Sequence, residues 1–126
     1  MVKLIYLISV ICILFTTVLA NDGFILDSID ATHRLSRETG KPILIIFGAD
    51  DCKFCNALKQ DILDNNLSPE IDKYIICYID IKKNPELKNE YAVSVIPDSR
   101  ILINGKETNR TKGYSKTNYM KWLNIK

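Results

Sequence analysis

Five consecutive large apolar residues, Ile43-Leu44-Ile45-Ile46-Phe47, end five positions before Cys52-Lys53-Phe54-Cys55. A helix-compatible stretch, Asn56 to Leu63, follows directly. The apolar run shows no polar alternation, so it reads as a central strand buried on both faces. Such a strand needs cover on two sides, and here it also delivers two cysteines to the start of a helix. A helix start carries unpaired backbone N–H groups and roughly half a positive charge. That field favours a thiolate over a thiol, which makes the first cysteine nucleophilic near neutral pH. The second cysteine lies one turn on and can close a disulfide with the first. The arrangement points to dithiol–disulfide exchange.

A second β-rich run, Tyr74-Ile75-Ile76-Cys77-Tyr78-Ile79-Asp80-Ile81, completes a strand–helix–strand unit. Its strands should be parallel and its crossover right-handed. Upstream, Asn21 to Leu26 is a lead-in with an edge strand, and Asp27 or Ser28 caps a helix running to Thr39. Ile29, Ala31, Thr32, Leu35 and Ser36 form its inner side, and Gly40 and Pro42 end it. After the cysteines, Phe54, Ala57, Leu58 and Ile62 have the spacing of one inward face. Asn65-Asn66 breaks that helix, and Ser68-Pro69-Glu70 opens a short one as cap, first-turn proline and acidic first turn. Asn84-Pro85 opens another, with Leu87 and Tyr91 facing in. Arg100 to Ile103, the turn Asn104-Gly105 and Lys106 to Thr108 form a hairpin. Ser115 caps the last helix, where Tyr119, Trp122, Leu123 and Lys126 share a face. The sum is an α/β fold with a mixed sheet and helices on both faces.

The first 20 residues stand apart from this pattern. Lys3 gives a short positive start, Leu4 to Val18 is almost wholly apolar, and Val18-Leu19-Ala20 precedes polar Asn21-Asp22. This is the pattern of a secretory signal peptide cleaved after Ala20. The apolar stretch is short for a membrane span, which takes about 20 residues. An uncleaved signal anchor is the alternative. Cys12 leaves with the signal, because bulky Ile11 before it is wrong for a lipoprotein cleavage site. Residues 21–126 then form one domain, exported to a periplasmic or extracellular space. A formal net charge of +2 is too small to suggest nucleic acid as a partner. Lys82-Lys83 reads as a solvated loop.

Of four cysteines, Cys52, Cys55 and Cys77 remain after cleavage. An odd number argues against a disulfide-stapled scaffold and fits one working pair plus one extra thiol. Cys77 reads as a small buried hydrophobe in the sheet. A zinc site built from Cys52, Cys55, Cys77 and His33 is the metal alternative. Structural zinc normally takes two close ligand pairs, and only one exists here. No metal or cofactor is therefore expected, and His33 reads as a surface residue of the first helix. Asn66-Leu67-Ser68 and Asn109-Arg110-Thr111 match the glycosylation pattern, which an Asn-rich chain produces by chance unless its source is eukaryotic.

With Cys-x-x-Cys set in this order of elements, the chain resembles the thioredoxin superfamily over nearly all of residues 21–126. The resemblance is carried by Lys41 to Phe47, by Gly48 to Cys55, by Val95-Ile96-Pro97, and by Asn104-Gly105 and Gly113-Tyr114. It is nearest to small exported thioredoxin-like proteins whose second motif reads Ile-Pro-Asp. The fold it implies is a three-layer α/β/α sandwich. It also implies a cis Ile96-Pro97 bond beside the cysteine pair, with the Ile96 backbone offered to a substrate strand. Two departures stand out. Asp51 replaces the tryptophan that usually precedes the first cysteine. Ile46 occupies the place of a buried acid that assists proton transfer to the second cysteine. Asp50 and Asp51 would raise the Cys52 pKa, and Lys53 would lower it. Asp51 or a water is the one replacement the sequence offers for the missing acid.

The expected activity is thiol–disulfide exchange. Cys52 attacks a protein disulfide, Cys55 resolves the mixed disulfide, and an upstream thiol donor restores the pair. A reductase is favoured, since residues 21–126 leave no room for the inserted helical domain of the larger oxidases. An oxidase or isomerase of the same fold remains open. So does a non-catalytic binding module, against which the intact cysteine pair argues.

Overall fold

The computed structural model describes residues 25–124. The signal peptide assigned to residues 1–20 lies outside them, as does Lys126. The chain order is β1 (Ile25–Leu26), α1 (Ile29–Thr39), β2 (Ile43–Gly48), α2 (Lys53–Leu63) and a 3-10 turn (Glu70–Lys73). Then follow β3 (Ile75–Asp80), α3 (Pro85–Glu90), β4 (Asp98–Ile103), β5 (Lys106–Lys112) and α4 (Lys116–Leu123).

Local chemistry sets these boundaries. Ser28 caps α1 by accepting the Ala31 N–H at 3.2 Å, and Asp27 does not. At the other end Gly40, with φ 73°, returns its N–H to the Ser36 carbonyl at 2.8 Å. A left-handed residue at that place favours glycine, which has no Cβ to clash. The hairpin turn puts Asn104 at φ 52° and Gly105 at φ 79°, the pair of positive angles that matches the twist of the flanking strands. The hairpin is longer than the sequence suggested, running from Asp98 to Lys112 with a bulge at Ile101/Leu102.

The five strands lie in the order β1-β3-β2-β4-β5. β2 pairs with β3 in parallel and with β4 antiparallel, so the sheet is mixed as expected. All six residues of β2 are buried. On one face Leu44, Ile46, Ile76 and Tyr78 pack with Leu58 and Ile62 of α2 and with Tyr119, Trp122 and Leu123 of α4. On the other, Ile43, Ile45, Phe47, Cys77 and Ile79 pack with Ile29 of α1, Leu87 of α3 and Tyr91 just after it. The sheet is thus the middle of an α/β/α sandwich. Its outer strand β5 is polar along its whole length.

Three local expectations are corrected. The buried face of α2 is Cys55, Leu58 and Ile62, with Phe54 and Ala57 exposed. Leu35 of α1 is likewise exposed. Ser68 does not cap the following turn. Its hydroxyl donates to the Asp72 carboxylate at 2.8 Å, and the peptide before Pro69 is cis.

Candidate active site

The β2–α2 junction brings the cysteines to the carboxyl end of the sheet. Cys52 is the N-cap of α2, and its sulfur accepts the Cys55 N–H at 3.2 Å. A sulfur held there receives both a donated hydrogen bond and the positive end of the helix, each of which favours its ionised form. Cys52 and Cys55 are joined by a disulfide, with 5.2 Å between their Cα atoms. The two sulfurs are not equivalent. Cys52 is half-buried, and Cys55 is wholly buried.

The segment before β4 closes the other side. The Ile96-Pro97 peptide is cis, as the resemblance implied. The Ile96 carbonyl oxygen lies 3.9 Å from Cys52 Sγ. Pro97 is buried, and its carbonyl accepts the Gly113 N–H at 2.8 Å. Around this opening Phe54 and Val95 are 58% and 50% exposed, an apolar rim next to the accessible sulfur.

Lys82 and Lys83 are exposed in the loop after β3, in line with the sequence reading. There they meet the two carboxylates before Cys52: Lys82 pairs with Asp51, and Lys83 lies 3.4 Å from Asp50. The hydrogen bond and charge of Lys82 hold the Asp51 carboxyl below its ordinary range. Asp51 therefore faces Lys82 at the surface and does not stand behind Cys55 in place of the missing acid. Lys53 is exposed at the first position of α2. Ile46 is fully buried hydrocarbon.

His33 and Cys77 do not join the site. His33 lines a cleft with Pro42 and Gly105, at the amino end of β2 and so opposite the cysteines. Cys77 lies in the cluster on the far face of the sheet from α2, and burial pushes its thiol pKa up. The four residues of the zinc alternative are therefore not brought together.

Sequence reasoning missed the anchor of the Pro97 segment. Asp98, directly after Pro97, is wholly buried and accepts hydrogen bonds from two arginines. Arg100 reaches it from the same strand at 3.2 Å, and Arg110 from β5 at 2.6 Å. Arg100 also donates to the Tyr91 carbonyl and lies over the Phe47 ring, 5.1 Å from its centre. Burial pushes the Asp98 carboxyl up, but the two guanidiniums outweigh it and the net shift is downward. The signal was Asp98 two positions before Arg100, which sets both side chains on one face once the strand is extended back to Asp98.

A family model for the thioredoxin-like domain matches residues 29–124. The chain belongs to the thioredoxin-like family. Solved thioredoxins share the fold of this thioredoxin-like protein at low identity. Thioredoxin NaTrxh from Nicotiana alata superposes with a TM-score of 0.65 at 22% identity, covering 81% of this chain and 91% of its own. Fasciola hepatica thioredoxin gives 0.64 at 24% identity, with 79% and 94% covered. Trxlp from Edwardsiella tarda gives 0.67 at 19% identity, with 79% and 98% covered. Among curated proteins none matches significantly. A thioredoxin-like fold carrying a disulfide-bonded Cys-x-x-Cys supports thiol–disulfide oxidoreductase activity, with protein disulfides as substrates and a reductant as partner.

Proposed function

We propose that this thioredoxin-like protein is an exported reductase of protein disulfides. The observation that carries the reading is the inequality of the two sulfurs. Cys52 is reachable, sits at the α2 N-terminus and receives the Cys55 N–H, whereas Cys55 is shut in behind it. Cys52 is then the attacking thiolate and Cys55 the resolving thiol. Cys52 attacks one sulfur of the substrate disulfide, and the other sulfur leaves as a thiolate. Cys55 next attacks Cys52, closes the internal disulfide and releases the second substrate thiol. Two electrons pass from the protein to the substrate, and an external dithiol must return them. The Ile96 backbone and Pro97 form the wall against which the substrate strand lies.

Two observations favour reduction over oxidation. The described chain runs from α2 to β3 through one 3-10 turn, with no inserted helical domain. The similar solved proteins are themselves thioredoxins or thioredoxin-like, matched over nearly their whole length. Equilibration with glutathione should give a reduction potential near the thioredoxin value of about −270 mV. A value near the about −120 mV of a strong oxidant would overturn the direction. Export rests on the signal-peptide pattern of residues 1–20. Intact mass of the secreted protein should correspond to a chain beginning at Asn21, and a chain retaining Met1 would contradict cleavage.

A further inference from the structure

Cys55 is buried, yet the reaction requires it to lose a proton. Its thiolate must form on the buried face of α2, which it shares with Leu58 and Ile62. A charge there is costly unless a donor meets it. Tyr78 is the neighbour of Ile46 on β3, paired with it in register and packed in the same cluster. Gly48 shows where its hydroxyl points. A Cβ on Gly48 would overlap the Tyr78 hydroxyl, come within 2.7 Å of the Tyr78 ring carbon that bears it, and lie 3.2 Å from Cys55 Cβ. Glycine at that place lets the phenol reach in alongside the second cysteine. Among the described residues the hydroxyl has no hydrogen-bond partner of its own.

We propose that the Tyr78 hydroxyl donates a hydrogen bond to the Cys55 sulfur and stabilises its thiolate during the resolving step. This rests on the assignment of Cys55 as the resolving thiol. In that step Cys55 gives its proton to water. The thiolate attacks the Cys52 sulfur, the Cys52–Cys55 bond forms, and the bond from Cys52 to the substrate sulfur breaks. The substrate thiolate leaves with that electron pair and takes up a proton. Tyr78 keeps its own proton throughout. Burial and the nearby Asp80 and Asp50 carboxylates push the phenol pKa up to about 12, which leaves it a donor at every working pH. The other charged group on it is Lys59 of α2, whose ammonium lies 4.8 Å from the ring centre.

Tyr78→Phe tests this, since it removes one oxygen and keeps the ring packing. Reduced protein treated with an aromatic disulfide such as 5,5′-dithiobis(2-nitrobenzoate) forms a mixed disulfide at Cys52. Release of the second coloured thiol then reports attack by Cys55. Loss of a donor to the charged form raises a thiol pKa. For a rise of about one unit, the thiolate fraction below the pKa falls about tenfold. The more basic thiolate regains part of this, with a Brønsted slope of about 0.4–0.5. The variant should therefore release about threefold more slowly below the thiol pKa and about threefold faster above it. The two pH profiles should cross. Parallel profiles, or profiles within experimental error of each other, would overturn the role of Tyr78. Failure of the parent protein to release the second thiol at any pH would instead overturn the resolving role of Cys55.

Discussion

Cys55→Ser protein mixed with a cell extract is expected to accumulate as covalent adducts held through Cys52. The half-buried Cys52 sulfur keeps its place at the α2 N-terminus in this variant, because the Cys55 N–H that it accepts belongs to the backbone. The first attack therefore proceeds. The second cannot, since a serine hydroxyl does not form a bond to sulfur under these conditions. Release then depends on thiols from solution and slows to the minutes-to-hours scale of uncatalysed exchange. Non-reducing gels should show higher-mass species that collapse with dithiothreitol. The double variant Cys52→Ser/Cys55→Ser should show none. Equal adducts in both, or none in either, would remove the basis for exchange at this site.

Asp98→Ala should cost about 3 kcal/mol of folding stability, the low end of the range for breaking a buried ion pair. Arg100 is nearly as buried as Asp98 and would keep only the more exposed Glu107, 3.4 Å away, as a counter-charge beside Phe47 and Tyr91. Arg110 is about one-third exposed and can turn to water, which limits the loss. For a domain of this size the loss corresponds to a melting temperature lower by roughly 10–25 °C. Adding Arg100→Met should recover much of it, because hydrocarbon then fills a site that held a charge. A melting temperature within 2 °C of the parent, on the order of the scatter for surface changes, would contradict this account. The parent protein should lose the same interaction in acid. The Asp98 carboxyl is shifted down in the folded state, so its contribution is complete above the unfolded value near 3.8. It is lost as the pH falls below that value and through the folded pKa.

The parts that were legible in the sequence are those set by neighbours in the chain. Ser28, Gly40 and Pro42 bounded α1, and Asn104-Gly105 fixed the hairpin turn, because caps and tight turns depend on a few adjacent residues. The apolar runs of β2 and β3 gave the centre of the sheet for the same reason. The face of α2 was misread because its first turn serves the site and not the core. Phe54 opens to solvent there, and the buried position belongs to Cys55. The pairing of Lys82 with Asp51 and the convergence of Arg100 and Arg110 on Asp98 join residues of different elements. Spacing alone does not reveal such contacts. Tyr78 was hidden for a further reason, since its approach to Cys55 depends on an atom that Gly48 lacks.

An open sheet has two borders, and each is a row of amides and carbonyls that a second molecule could extend. Among the described residues one border is the two-residue β1, and the other is Lys106-Glu107-Thr108-Asn109-Arg110-Thr111-Lys112. Docking another copy antiparallel and in register along that row would set Lys106 against Lys112 at both ends and dehydrate them. That edge therefore resists pairing with itself, whereas capture at the opening beside Cys52 is covalent and reversible.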